Sequence, residues 1–284
     1  MRKSYQLRNR DVRNIYRLLG DCRDLGADPL AWRRRLLDGL IRLLGARVAH
    51  IGDLQGMASR SLTTPDMMQI GLEAPTQTAA FEAYFQFLAN GGAGQEAFAQ
   101  RFGELPPDRL NTRTTSQLME RDAWHRSMTF QRFHQPMDVD EGILSLWPLS
   151  TRNPRHGLSV SVRRSVGEPA FTERERRMLH WTNHELAREL GRTLAPTSEP
   201  AASELPRRLG QTLGHLLDGL SEKQIALEMG ISRATVHEYV TTLYRRFAVD
   251  SRAALLARWV RYGNGASHRP STGERPACRW GPSL

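Results

Sequence analysis

Between Ser221 and Val249 the chain reads SEKQIALEMGISRATVHEYVTTLYRRFAV, an order that two short helices joined by a tight turn satisfy at every position. Ser221 followed by Gln224 has the spacing of a capping box, so a helix begins there. Ile225, Ala226 and Met229 fall one helical turn apart on one face, and Ala226 is small where two helices must cross closely. Gly230 suits a left-handed C-terminal cap, which glycine adopts at little cost. Ser232 is placed to cap a second helix, whose apolar stripe is Val236, Val240, Leu243 and Phe247. The opposite face of that helix carries Arg233, Thr235, His237, Glu238, Thr241, Arg245 and Arg246. A polar, donor-rich helix of this kind fits the major groove of B-DNA, which is roughly 12 Å wide.

With those residues in view, the stretch from Leu205 to Val260 resembles the LuxR-type four-helix DNA-binding domain. The matching positions begin with Leu205, Arg208 and Leu213, then Gly219, Leu220, Ser221, Lys223, Gln224, Ile225 and Ala226. After the turn come Gly230, Ile231, Ser232, Thr235, Val236, Tyr244, Arg245, Val249 and Arg252. The family usually opens with Thr-x-Arg-Glu, where this chain has Pro206-Arg207-Arg208-Leu209. That exchange removes a first-turn carboxylate, an effect of about 0.5–1 kcal/mol on a helix N-terminus. Tyr239 stands where the family often has His, and Ala248 where it has Gly.

The resemblance and the helical geometry direct the same face of the second helix toward DNA. His237, Glu238 and Thr241 lie opposite the Val236–Val240 stripe and are expected to meet base edges. Glu accepts from cytosine N4, and His donates to guanine N7 or O6. Lys223, Arg233, Thr235, Tyr239, Arg245 and Arg246 are expected on phosphates, where cations and helix N-termini fix register without reading sequence. A last helix is expected over Ser251–Tyr262, its core side formed by Leu256, Trp259 and Val260. Ala254, Leu255, Ala257, Arg258 and Arg261 are then left over. In the family this helix pairs two subunits, which implies a homodimer with half-sites about one helical turn apart.

Composition narrows the function classes. The chain has 284 residues, enough for two domains with their own cores. Its apolar fraction of 39% and charged fraction of 25% are those of a globular protein. Forty Lys and Arg against 30 Asp and Glu give a net charge of +10, almost all the basic residues being Arg. That balance favours polyanion partners, although an excess spread over the whole chain also suits a plain solvated surface. Cys22 and Cys278 stand far apart, giving neither a disulfide framework nor zinc-ligand spacing. No apolar run approaches the ~20 residues of a membrane span, and the start of the chain has no signal-peptide core. A cytoplasmic protein is expected.

Upstream, Val12, Ile15, Leu18 and Leu19 mark one helix and Trp32, Leu36, Leu37, Leu40, Leu43 and Leu44 a second. Arg33, Arg34 and Arg35 are expected partly opposite the second stripe, as an anion or nucleic-acid patch or, more simply, a solvated helix face. Ala46–Leu54 alternates like a strand, and residues 65–101 read as two helical pieces broken at Asn90-Gly91-Gly92. Phe81, Tyr84, Phe85 and Leu88 form an aromatic stripe there, expected to be core. Gly142–Pro148 and Gly157–Arg163 alternate as two strands, and Thr172 with Glu175 opens a long helix with Met178, Leu179, Thr182, Leu186 and Leu190 along its inner face.

This order describes an α+β domain, a small antiparallel sheet flanked by helices, and it is similar to a GAF- or PAS-like sensory domain. Phe171–Leu179 resembles the closing helix of such domains ahead of LuxR-type modules. The expected organisation is a sensory or dimerisation domain over 10–193, a linker over 194–203, an all-α helix-turn-helix domain over 204–263 and a disordered tail over 264–284.

The sequence has no Walker A loop, no dinucleotide fingerprint and no G-x-S-x-G elbow. Asp138, Asp140 and Glu141 near His134 offer hard-cation ligands but read more simply as an exposed acidic turn. No enzyme, catalytic residue, cofactor or metal is expected. The expected function is a sequence-specific DNA-binding transcriptional regulator. Its partners are double-stranded DNA, a second copy of the chain and RNA polymerase, without a membrane, and an unidentified signal acts through the N-terminal domain. Two rivals stand beside it: a LuxR-like protein–protein interaction module that has lost DNA binding, and a sigma-factor-like promoter-binding subunit. Retention of Lys223, Arg233, Thr235, Arg245 and Arg246 argues against the first.

Overall fold

The computed structural model describes residues 5–55, 66–92, 97–106, 108–148, 156–197 and 202–262. The chain divides into two compact units, Met1–Cys22 with Trp32–Arg192, and Arg23–Ala31 with Thr193–Leu284.

Helix α1 (Asn9–Asp24), in the first unit as far as Cys22, buries Ile15, Leu18, Leu19 and Cys22 and leaves Val12 exposed. Helix α2 (Pro29–Leu44) buries Trp32, Leu36, Leu37, Leu40 and Leu44. The two helices touch closely at Gly39, where a Cβ would stand 2.2 Å from a Leu18 methyl. Arg33 departs from the sequence expectation. It is 1% exposed, bonds Asp53 at 3.3 Å and lies over the Trp32 ring. Burial lowers the pKa of its guanidinium, and the Asp53 charge opposes that shift. An Arg beside a fully buried Trp belongs to the inner edge of the helix, so the triplet is not one solvated face.

The strands are β1 (Val48–Gln55), β2 (Met68–Ile70), β3 (Asn111–Thr114), β4 (Gly142–Pro148) and β5 (His156–Arg163). They form one antiparallel sheet in the order β2-β1-β5-β4-β3. Between them run α3 (Pro75–Ala89), α4 (Ala97–Gly103), α5 (Thr115–Leu118), α6 (Arg121–Arg126) and a π-helical segment Phe130–His134. Helix α7 (Glu173–Glu189) follows the last strand and packs on β3 and β4.

Two strands went unread in the sequence. β2 is three half-buried residues inside a stretch expected to be helical. β3 is Asn-Thr-Arg-Thr, which has no apolar residue to alternate, yet Asn111, Thr112 and Thr114 are buried. Thr112 Oγ1 stands 2.8 Å from Ser145 Oγ and 3.0 Å from His180 Nδ1, and Asn183 donates to Ser145 at 2.9 Å. Hydrogen bonds to α7 replace hydrophobic contact there, which is why pattern alone misses the strand.

The aromatic stripe of α3 is core, as expected. Phe81, Tyr84 and Leu88 pack with Val48, Phe133, Met137 and Val139. The α7 capping box forms between Thr172 and Glu175, and Met178, Leu179, Thr182 and Leu186 are buried. The acidic turn is dispersed into separate pairings. Asp138 pairs with Arg47, and the Glu141 carboxylate accepts from Ser116 Oγ at 3.0 Å. Asp140 accepts from Trp124 Nε1 at 3.0 Å and from His125 Nε2 at 2.8 Å. Among the described residues, no three His, Cys, Asp or Glu side chains gather as a metal would need.

In the second unit a 3₁₀ turn (Ala202–Glu204) precedes α8 (Arg207–Leu217), α9 (Glu222–Met229), α10 (Arg233–Arg246) and α11 (Arg252–Tyr262). Their shared core is Leu213, Leu216, Ile225, Val236, Val240, Leu243, Phe247, Leu255 and Trp259. Among the described residues, no helix is long and apolar enough to cross a membrane. The expected tail at 264–284 lies outside the described residues, as does part of the linker.

Candidate nucleic-acid interface

The turn between α9 and α10 forms as its residues require. The Ser221 hydroxyl accepts from the Gln224 backbone N–H, and the Gln224 side chain accepts from Ser221 N–H at 2.9 Å. Gly230 then takes φ +63°, and its successor closes the helix end, Ile231 N–H donating to Ala226 O at 3.1 Å. Ser232 caps α10 by accepting from Thr235 N–H at 3.1 Å. The stripe Val236, Val240, Leu243 and Phe247 is buried without exception, which seats α10 on α8 and α9 and fixes the opposite face outward.

That outward face carries the residues expected to read bases. His237, Glu238 and Thr241 are all exposed, on adjacent positions one turn apart. Of the residues expected on phosphates, Lys223, Arg233, Arg245 and Arg246 are exposed, while Thr235 and Tyr239 are half-buried. The Thr235 hydroxyl stands 2.9 Å from Ser232 Oγ within the cap. Arg246 lies 3.6 Å from Glu204. His237 Nδ1 lies 3.3 Å from Glu222 Oε1 on α9. Neither acid had been singled out in the sequence. A carboxylate at the first position of a helix reads there only as a partner of the helix N-terminus.

Arg252, one of the positions carrying the family likeness, proves to be a clasp. Its guanidinium donates to Leu220 O at 2.7 Å and Leu216 O at 2.8 Å, satisfying carbonyls at and beyond the end of α8. Helix α11 keeps Trp259 in the core as expected but buries Leu255 and Arg258 where Leu256 and Val260 were expected. Leu255 and Trp259 are in the core, Leu256 is half-buried and Val260 is 76% exposed. Leu255 with Trp259 and Leu256 with Val260 share the same i, i+4 spacing, so periodicity does not choose between them. The choice is made by Phe247, whose ring meets Trp259 edge-on at 5.1 Å, and by Arg258, which is buried over both rings.

Residues 203–259 match the family described as bacterial regulatory proteins, luxR family. They form a luxR-family helix-turn-helix domain. No curated protein sequence matches the chain. Among solved structures, the chain is similar to Escherichia coli SdiA at 11% identity, covering 81% of this chain and 96% of that one with a TM-score of 0.34. It is similar to SdiA in complex with octanoyl-rac-glycerol at 12% identity, covering 93% of each chain, with a TM-score of 0.35. A VqmA–ligand–DNA complex from Vibrio cholera matches 45% of this chain and 51% of that one at 23% identity and a TM-score of 0.22. Likenesses of this size assign neither a ligand nor an operator to the present chain.

Proposed function

We propose that the protein is a sequence-specific DNA-binding transcriptional regulator of the cytoplasm, working through its luxR-family domain. The observation that carries this reading is the division of α10 into two faces. Val236, Val240 and Leu243 hold it in the core, while His237, Glu238 and Thr241 stand exposed between cations at Arg233 and at Arg245 and Arg246. His237, Glu238 and Thr241 meet base edges; Lys223, Arg233, Thr235, Tyr239, Arg245 and Arg246 grip phosphates. Exposed Val260 on α11 is the apolar position against which a second copy packs, making the DNA-bound form a two-fold dimer, to which RNA polymerase is the further partner.

The first unit is read as the sensory, GAF/PAS-like part, whose signal shifts the dimer or its DNA affinity between two states. Its support is a polar sheet face under α3 and the π-helical segment. Gln69, His50 and Ser161 stand side by side in register there. Among the described residues, Gln69 Oε1, Ser161 Oγ and both ring nitrogens of buried His134 are without hydrogen-bond partners, the kind of deficit a polar molecule fills.

Selection of genomic DNA fragments with the full-length protein at two salt concentrations tests the regulator. A two-fold-symmetric consensus, weakened by His237→Ala and Glu238→Ala, is the expected result. Uniform binding on the order of 10⁻⁴–10⁻⁶ M that fades steeply with salt would leave phosphate contacts alone. No binding would overturn the reading in favour of an interaction module.

A further inference from the structure

The sequence offers His237 as a donor to guanine, because an imidazole carries a donor and an acceptor and nothing local says which nitrogen holds the proton. The structure supplies the missing constraint from the neighbouring helix. Glu222 occupies the first position of α9, held by the Ser221–Gln224 capping box, and its carboxylate stands 3.3 Å from Nδ1 of His237. The His237 side chain is otherwise open to solvent at 69% exposure, against 28% for Glu222.

An ionised carboxylate only accepts hydrogen bonds. The contact therefore requires the proton of a neutral imidazole to sit on Nδ1. The other nitrogen, Nε2, across the ring from the bonded one, then has a lone pair and no proton. An acceptor in that position has no partner on guanine, whose major-groove edge shows only N7 and O6 acceptors. It has one on cytosine, at the N4 amino group, and one on adenine, at N6. Glu238, next in the chain and also exposed, is likewise an acceptor. The two residues thus present acceptors side by side, and the Arg side chains that favour guanine are confined to the two ends of α10.

Resting on the DNA-binding reading above, we infer that Glu222 is a specificity-determining positioning residue. It fixes the Nδ1–H tautomer of His237, so that Nε2 reads a base offering an amino donor, cytosine or adenine, in place of guanine. Glu222 touches no base itself. Its effect reaches DNA through one proton position on its partner.

Two measurements on the full-length chain test this. The first needs no DNA: long-range ¹H–¹⁵N spectra of the histidine rings at about pH 8, where free imidazole is neutral. Wild type is expected to show His237 protonated on Nδ1, and Glu222→Ala to show the proton moved to Nε2. A wild-type ring protonated on Nε2 overturns the inference, whatever the protein does with DNA.

The second is selection from a randomised DNA pool at the same pH with wild type, Glu222→Ala, Glu222→Gln and His237→Ala. The position whose preference disappears in His237→Ala should hold cytosine or adenine in wild type. It should shift toward guanine by about tenfold in Glu222→Ala, within the range one good base contact discriminates. Glu222→Gln, whose amide both donates and accepts, should broaden the preference. An unchanged preference in Glu222→Ala overturns the inference while leaving the regulator intact. Absence of any preference in wild type overturns the regulator reading itself, and the tautomer spectrum distinguishes the two failures.

Discussion

Three successive helix ends in the second unit use the same turn, and one of them is built with the wrong residue for it. At the end of α8, Leu220 N–H donates to His215 O at 3.0 Å and Gly219 N–H to Leu216 O at 3.2 Å. At the end of α9, Ile231 donates to Ala226 and Gly230 to Leu227. At the end of α10, Val249 N–H donates to Tyr244 O at 2.9 Å and Ala248 N–H to Arg245 O at 3.3 Å. Each is the paired 6→1 and 5→2 arrangement that needs a left-handed residue after the cap. Gly219 and Gly230 supply it at φ +92° and +63°, but the third is Ala248 at φ +50°. A residue with a Cβ in that region costs about 1–2 kcal/mol. Glycine gives back about 0.4–1 kcal/mol through the greater freedom of the unfolded chain. Ala248→Gly is therefore expected to stabilise the unit by about 0.5–1 kcal/mol, since exposed Ala248 has no packing to lose.

Hydrogen exchange of the slowest amides in α10 and α11 of the full chain reads this directly. They should exchange about 2- to 5-fold more slowly, the equivalent of that free energy, with a thermal midpoint higher by about 2–8 °C. Gly230→Ala should move both by a similar amount the other way, and because nothing among the described residues lies within 4 Å of a Cβ placed there its effect is one of backbone conformation. Unchanged or faster exchange in Ala248→Gly would refute the reasoning, because it would mean that the left-handed turn stores no strain at Ala248.

Further expectations concern the first unit. Burial, then the Arg163 charge, holds His50 down to about 3, and burial with Arg163 and His50 holds His134 well below the ordinary imidazole range. Both are neutral when folded and take up protons when unfolded, so their contribution is complete above about pH 6.5 and falls as pH drops from there. Urea midpoints between pH 8 and 5 should fall accordingly, and His134→Phe should flatten the dependence; a constant midpoint would contradict it. Lower still, hydrogen bonds from Arg176 hold Glu173 down to about 2 and Arg174 holds Asp11 below its ordinary value, so a second loss should set in as pH falls below the ordinary carboxylate range. Arg33→Ala should cost about 1–3 kcal/mol, because it empties a buried side-chain site and removes the guanidinium bonded to Asp53, itself 21% exposed. The double change Arg33→Met with Asp53→Leu should recover most of it, and a single-variant loss under about 1 kcal/mol, the surface-pair range, would deny the pair its buried character.

Features that depend on neighbours along the chain are readable before it folds. The Ser221–Gln224 and Thr172–Glu175 boxes, the Ser232 cap, the left-handed Gly230 and the Val236–Phe247 stripe are all local, within about one to three helical turns, and all stand in the structure as read. The β4–β5 pair was legible for the same reason, most clearly in β5, where Leu158, Val160 and Val162 alternate with Ser159 and Ser161. Choices between patterns of equal local quality are settled by long-range contacts. Leu255 with Trp259 and Leu256 with Val260 are the same spacing in two phases, and Phe247 selects one. Asn111–Thr114 has no apolar signal until Ser145 and α7 satisfy its polar side chains. Arg33 looks like its two neighbours until Trp32 and Asp53 enclose it. The proton of His237 has no assigned nitrogen until Glu222, 15 positions earlier in the chain, arrives beside it. Periodicity and capping are short-range and survive in the sequence; burial, ion pairing and tautomer are set by which groups from distant positions meet, and that is decided only once the chain has folded.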